Sequence, residues 1–167
     1  MRAPTAGLDR LNRLPRPDAE RQLLACCGSR TWAARVAAGL PHPTPRALLH
    51  ASDAAWWALD PVDWDEAFAA HPRIGEREGD RATATARHEQ RAVAVASPET
   101  LAALAEGNRR YEERFGRVFL VFATDRDADE MLAILRRRLE NDPDTELREA
   151  AGEQARITRL RLERLIA

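Results

Sequence analysis

Four times in this sequence a side chain able to cap a helix stands directly before a proline: Thr44-Pro45, Asp60-Pro61, Ser97-Pro98 and Asp142-Pro143. A Thr, Asp or Ser oxygen satisfies the open N–H groups of a first helical turn. The proline that follows has no N–H to satisfy, and its φ is already helical. Gly28, Gly39 and Gly116 supply matching stops. This punctuation predicts a short turn or helix through Leu8, Leu11 and Leu14 that ends near Pro15. Helices follow over about 18–27 and 30–38, then a long one from Thr44 through Trp56, and one from Asp60 to His71. Further helices are expected over about 81–96, 97–116, 125–140 and 142–165. Val118-Phe119-Leu120-Val121-Phe122 is the one strand-like run. With no second run to pair with, it reads as a buried connector. Residues 1–6 are expected to fray. The fold class is therefore all-α, a single compact domain of about eight helices over residues 1–167.

Charge patterning narrows the partners. Charged residues make up 32% of the chain and hydrophobic ones 44%, a globular balance, and the net charge is −1. Basic and acidic residues are interspersed, which argues against a nucleic-acid footprint. The basic residues are all arginine and alternate with glutamate along helix faces, as on solvated helices. Cys26 and Cys27 are adjacent, make poor partners for each other and form no disulfide framework, so a reducing cytoplasm is inferred. No signal peptide is read, and no apolar run is long enough to span a bilayer.

The stretch Ala70-His71-Pro72-Arg73-Ile74-Gly75-Glu76 breaks a helix abruptly. A residue before proline is pushed out of the α region, so His71 and Arg73 are presented where a helix stops. Taken alone, this is a helix stop with a solvated histidine. Two displaced charges give it company. On the 81–96 helix, Glu89 falls within the stripe of Ala82, Ala86, Val93 and Ala96, while Arg87 and Arg91 lie opposite. A carboxylate there is either a general acid/base or substrate anchor at a pocket wall, or half of a structural ion pair. On the last helix, Leu147, Ala151, Leu162 and Leu165 define an inner face, with Gln154, Thr158 and Arg161 on or beside it. Glu149, Glu153, Arg156, Arg159 and Glu163 fall outside. An inward Arg161 is a fork for a carboxylate or ureido oxygen, a partner for Glu89, or a snorkelling surface side chain.

Other constellations are weaker. His42, between prolines, reads as surface, and His50 as packed or solvated. His88 points about 100° away from Glu89. No histidine pair has zinc-site spacing, Cys26-Cys27 is not C-x-x-C, and no phosphate loop or G-x-S-x-G elbow occurs, so no metal is expected. Apolar neighbours argue against either cysteine as a nucleophile. Trp56, Trp57 and Trp64 read as core or interface anchors.

The order of the motifs resembles the 2-oxo-4-hydroxy-4-carboxy-5-ureidoimidazoline (OHCU) decarboxylases of purine degradation. Leu11-Asn12, Leu23 to Ser29 with Trp32, His71-Pro72-Arg73-Ile74-Gly75, Glu89-Gln90, Asn108 to Phe119, Arg138 to Asp142 and Ile157 to Leu162 match in sequence along nearly the whole chain. The His-Pro-Arg-Ile-Gly motif is the most specific. The resemblance implies an all-α homodimer that converts the small molecule OHCU to (S)-allantoin and carbon dioxide, the last step from urate. It implies no cofactor, because the substrate supplies its own electron sink. By the same resemblance His71 and Glu89 carry the chemistry and Arg161 binds substrate. Pro72, Arg73, the 86 position and the backbone from Phe119 to Val121 would line the pocket. The preference for Arg161 over Arg159 also rests on the helical projection. One position departs: the family commonly has a serine three residues before the glutamate, and this chain has Ala86. That removes a hydrogen bond of roughly 1 kcal/mol. Two alternatives remain, a decarboxylase of a related ureido or imidazoline acid, and a non-catalytic helical module that binds a partner protein.

Overall fold

The computed structural model describes residues 5–74 and 95–167. Among them are eight helices and no strand: α1 (Ala6–Arg13), α2 (Arg16–Cys26), α3 (Arg30–Ala38), α4 (Pro45–Trp57), α5 (Pro61–Ala69), α6 (Pro98–Phe115), α7 (Ala128–Arg138) and α8 (Pro143–Leu165). The chain is all-α. The expected 81–96 helix lies, but for its last two residues, outside the described residues, and with it Glu89 and Ala86.

The caps form as the sequence dictates. Ser29, Thr44 and Ser97 accept from the N–H groups of Trp32, Ala47 and Thr100, at 3.1–3.2 Å. Asp142 does the same for Thr145 at 2.9 Å. Gly116 ends α6 in the left-handed region, φ 70°, where a Cβ would be strained. Two expectations shift. Thr5 and Ala6 are not frayed: the Thr5 oxygen caps α1 through Leu8 N–H, and its hydroxyl donates to the Ile166 carbonyl. The 125–140 helix begins later because Asp125 takes φ 60°, and a capping box between Asp127 and Glu130 starts α7 at Ala128.

The fold groups into two compact units, Met1–Ala67 with Ala155–Ala167, and Phe68–Gln154. In the first, α3 packs against α2 and α4. Trp32, fully buried, donates its indole N–H to the Ser52 carbonyl at 3.2 Å. Trp56 is buried, whereas Trp57 is half exposed. In the second, α6 packs on α7. Their apolar faces close a core of Ile74, Leu104, Tyr111, Phe119, Val121, Met131, Leu132, Leu135 and Leu139. Residues 118–123 form the expected connector without strand pairing, buried at Phe119, Leu120, Val121 and Ala123.

Candidate functional site

The His71 segment belongs to the second unit, and three side chains hold it there. After α5 the His71 N–H bonds the Phe68 carbonyl at 3.1 Å, which closes the last turn before Pro72 diverts the chain. His71 Nε2 lies 2.7 Å from Gln154 Oε1 on α8. Arg73 forks onto Glu112 of α6, Nε to Oε1 at 2.5 Å and Nη2 to Oε2 at 2.9 Å. One turn earlier on α6, Asn108 Nδ2 donates to the Ile74 carbonyl at 3.2 Å. His71 and Pro72 are half-buried, Arg73 is exposed, and Ile74 enters the core. The Arg73 bond holds the Glu112 carboxyl below its usual range. The guanidinium is thus engaged by the protein itself. Sequence reasoning missed these two anchors on α6, whose i, i+4 spacing, Asn108 to Glu112, puts them on one helix face.

Phe119 and Val121 are fully buried core side chains, so only their backbone is left to line a cavity. The connector's backbone is itself pinned. Arg138 Nη1 donates to the Leu120 carbonyl at 2.7 Å, and Phe122 N–H donates to Glu153 Oε2 at 2.6 Å. Glu153 corrects the helical projection, which places it outside. It is 9% exposed, turned in by the Phe122 N–H and with Arg126 3.7 Å away. Arg138 and Glu146 are each fully buried and paired, a charge pair that sequence reasoning missed. Tyr111 O–H also donates to Glu146, and Arg138 stacks over the Phe119 ring at 4.8 Å.

The first unit holds Arg161. It is half-buried on α8, and its Nη1 donates to the Cys26 carbonyl at 3.4 Å. Arg159 is exposed, 3.2 Å from Glu163 and 3.7 Å from Asp53. The projection therefore separates the two arginines correctly by burial. Gln154 and Thr158 are buried, also as projected. Both cysteines are free and buried. Burial pushes each thiol up to about 11, so neither is a thiolate nucleophile at neutral pH. His42, read as surface, is half-buried, and its N–H and carbonyl pair with the Asn12 amide at 2.9 Å each. Among the described residues no cluster of three or more His, Cys, Asp or Glu side chains is placed to hold a metal ion, and no helix is long and apolar enough to cross a membrane.

The arrangement offers an imidazole with one nitrogen tied to a buried amide, at the end of a helix and on a braced backbone. Such a group suits proton transfer to a small ligand. The OHCU decarboxylase family profile matches residues 12–163. The chain is 36% identical over 153 residues to the uric acid degradation bifunctional protein TTL of Arabidopsis thaliana, covering 89% of this chain and 47% of that protein. It is 36% identical over 100 residues to the 2-oxo-4-hydroxy-4-carboxy-5-ureidoimidazoline decarboxylase of Mus musculus, covering 58% and 56%. The chain thus spans about half the length of these curated relatives. A crystal structure of OHCU decarboxylase in the presence of (S)-allantoin superposes with a TM-score of 0.77 at 35% identity, covering 87% of this chain and 96% of that one. A crystal structure of (S)-allantoin synthase, at 18% identity and a TM-score of 0.74, covers 96% of this chain and 53% of that one and shows likeness of fold. The chain belongs to the OHCU decarboxylase family.

Proposed function

We propose that this chain is a carboxy-lyase of urate catabolism that converts OHCU to (S)-allantoin. What supports the reading most is that the family match over residues 12–163 encloses a His71 whose ring and backbone are both held in place. In the reaction the bond from C4 to the carboxylate breaks and carbon dioxide leaves; the electron pair forms a C4=C5 bond as the C=N electrons move onto the ring nitrogen, which takes up a proton. The resulting enol then releases its 4-hydroxyl proton and gains one on one face of C5, so that the 4-hydroxyl becomes a carbonyl and one proton is taken up overall. The electron sink lies in the substrate, so no cofactor is required by the chemistry. His71 is the proton donor or relay, its ordinary pKa lying near working pH. Glu89 holds the 4-hydroxyl or orients the imidazole. Arg161 anchors the carboxylate or ureido group. Pro72, the backbone from Phe119 to Val121 and the small side chain at Ala86 line the pocket, and Arg73 braces it through Glu112. The chain works as one domain of a cytoplasmic homodimer. The free, buried Cys26 and Cys27 support a reducing compartment.

The test is to generate OHCU in solution from urate and add the protein. Acceleration of its decay with formation of carbon dioxide and allantoin is expected. Decay at the spontaneous rate would overturn the assignment and leave the helical binding module as the better reading.

A further inference from the structure

The Arg138 guanidinium is a fork that serves two partners. Its Nε and Nη2 both reach Glu146 Oε1, and its remaining arm, Nη1, donates to the Leu120 carbonyl at 2.7 Å. Neither side chain of the pair has any exposed surface. As a device for stability alone such a pair is a poor choice, since apolar side chains of similar volume commonly serve as well. Apolar side chains cannot, however, direct a backbone carbonyl. Tyr111 and Asn141 donate to the Glu146 carboxylate, which fixes the fork in turn. The guanidinium also lies over the Phe119 ring, 4.8 Å from its centroid. We propose that Arg138 is a positioning residue for substrate: held by Glu146, it fixes the Leu120 carbonyl, and with it the Phe119 to Val121 backbone, as a wall on which the ligand docks. The proposal rests on the decarboxylase reading for the ligand and for the place of that backbone in the pocket.

The role is separable from proton transfer and from folding. The His71 segment stands on other supports, Asn108 on the Ile74 carbonyl and Glu112 on Arg73. Release of the Leu120 carbonyl should therefore raise KM and leave kcat nearly unaltered. A purely structural role predicts otherwise: fewer folded molecules, each with the wild-type KM. Tyr111→Phe is the matching control. It takes one donor from Glu146, but keeps the ring against Phe119, centroids 5.3 Å apart, and keeps the Arg138 bond to Leu120.

The experiment uses the full chain with 13C at leucine carbonyls and 15N at valine. Leu120-Val121 is the only Leu-Val step in the sequence, so one carbonyl–amide correlation reports on the connector. In Arg138→Lys the ammonium is a point charge that stays with Glu146 and cannot also hold Leu120. The Leu120 carbonyl carbon should move upfield as its charge-assisted bond is lost. KM for OHCU should rise about tenfold, while kcat moves by less than about threefold. Should that variant fail to fold, Arg138→Met with Glu146→Gln buries no charge, leaves Tyr111 and Asn141 an acceptor, and should show the same changes. Tyr111→Phe should lower the urea midpoint and keep the wild-type KM. A folded Arg138 variant with wild-type KM overturns the proposal, as does an unmoved carbonyl resonance or a Tyr111→Phe protein whose KM rises as far. If the wild type does not turn over OHCU, the decarboxylase reading fails, and titration with (S)-allantoin decides the role of Arg138. The wild-type correlation should move, and the Arg138 variants should need about tenfold more allantoin for the same movement. No movement in the wild type, or equal titrations, overturns the proposal.

Discussion

Arg138 and Glu146 are buried with no exposed surface, and the core of the second unit closes over them. Taking two charges out of water is expensive and is recovered only when their donors and lone pairs are met. They are met: Arg138 reaches Glu146 through Nε at 2.9 Å and the Leu120 carbonyl through Nη1, and Asn141 donates to the second Glu146 oxygen at 2.9 Å. Glu146→Ala should therefore destabilise the protein by about 3–5 kcal/mol, read as a lowered urea midpoint, because it strands a buried guanidinium. Tyr111→Phe, which removes one O–H donor to that carboxylate, should give the smaller loss of about 1.5–3 kcal/mol. Equal effects would mean that the phenol and the carboxylate act as one unit. The pair is legible in part. Arg138 lies seven residues after Met131 and three after Leu135, on their apolar stripe. The projection that turns Arg161 inward turns Arg138 inward too. Its place in Arg136-Arg137-Arg138 hides it, because such a run reads as a solvated helix end. Gln154 projects onto the inner face, but no local pattern links position 154 to position 71.

Among the helices, local chemistry sets most boundaries. Each cap-and-proline pair marks where a helix begins, since capping needs only three or four neighbouring residues. Ser97→Ala should cost about 1 kcal/mol of stability through the open N–H of Thr100. Gly116→Ala should cost about 1–2 kcal/mol, because φ 70° places a Cβ against the following carbonyl. Both are read from thermal or urea midpoints, and a neutral Gly116→Ala would mean that the turn relaxes. Helix α7 starts later than its sequence predicts because a left-handed Asp125 delays it, and nothing in the composition announces that turn. The 118–123 run shows the limit of propensity: its β-branched and aromatic residues are explained by burial, and its backbone bonds the Arg138 and Glu153 side chains in place of a neighbouring strand.

Across the entire chain, ionisation sets the direction of pH dependence. Arg73 lowers the Glu112 pKa, the Thr145 side chain and backbone lower that of Asp142, and Arg137 lowers that of Glu149. A carboxyl whose folded pKa is depressed stabilises the fold above its unfolded value, and that stability is lost as pH falls through the folded pKa. Burial lowers the His42 pKa as well, so protonation of the unfolded chain begins to disfavour the fold below about pH 6.5. The urea midpoint should therefore fall steadily on acidification from neutral pH. A midpoint that rises toward pH 4 would contradict these assignments. Fold class and family are both legible from the order of caps and motifs, while the bracing of His71 is not, because it joins residues far apart in the chain. Whether His71 in this setting decarboxylates OHCU stereospecifically is decided by circular dichroism during enzymatic urate oxidation, with wild-type protein beside His71→Asn. Wild type should give a rapid signal of (S)-allantoin, and the folded variant only the slow, optically inactive decay. Full activity in His71→Asn, or no optical activity with either protein, would refute the role of His71.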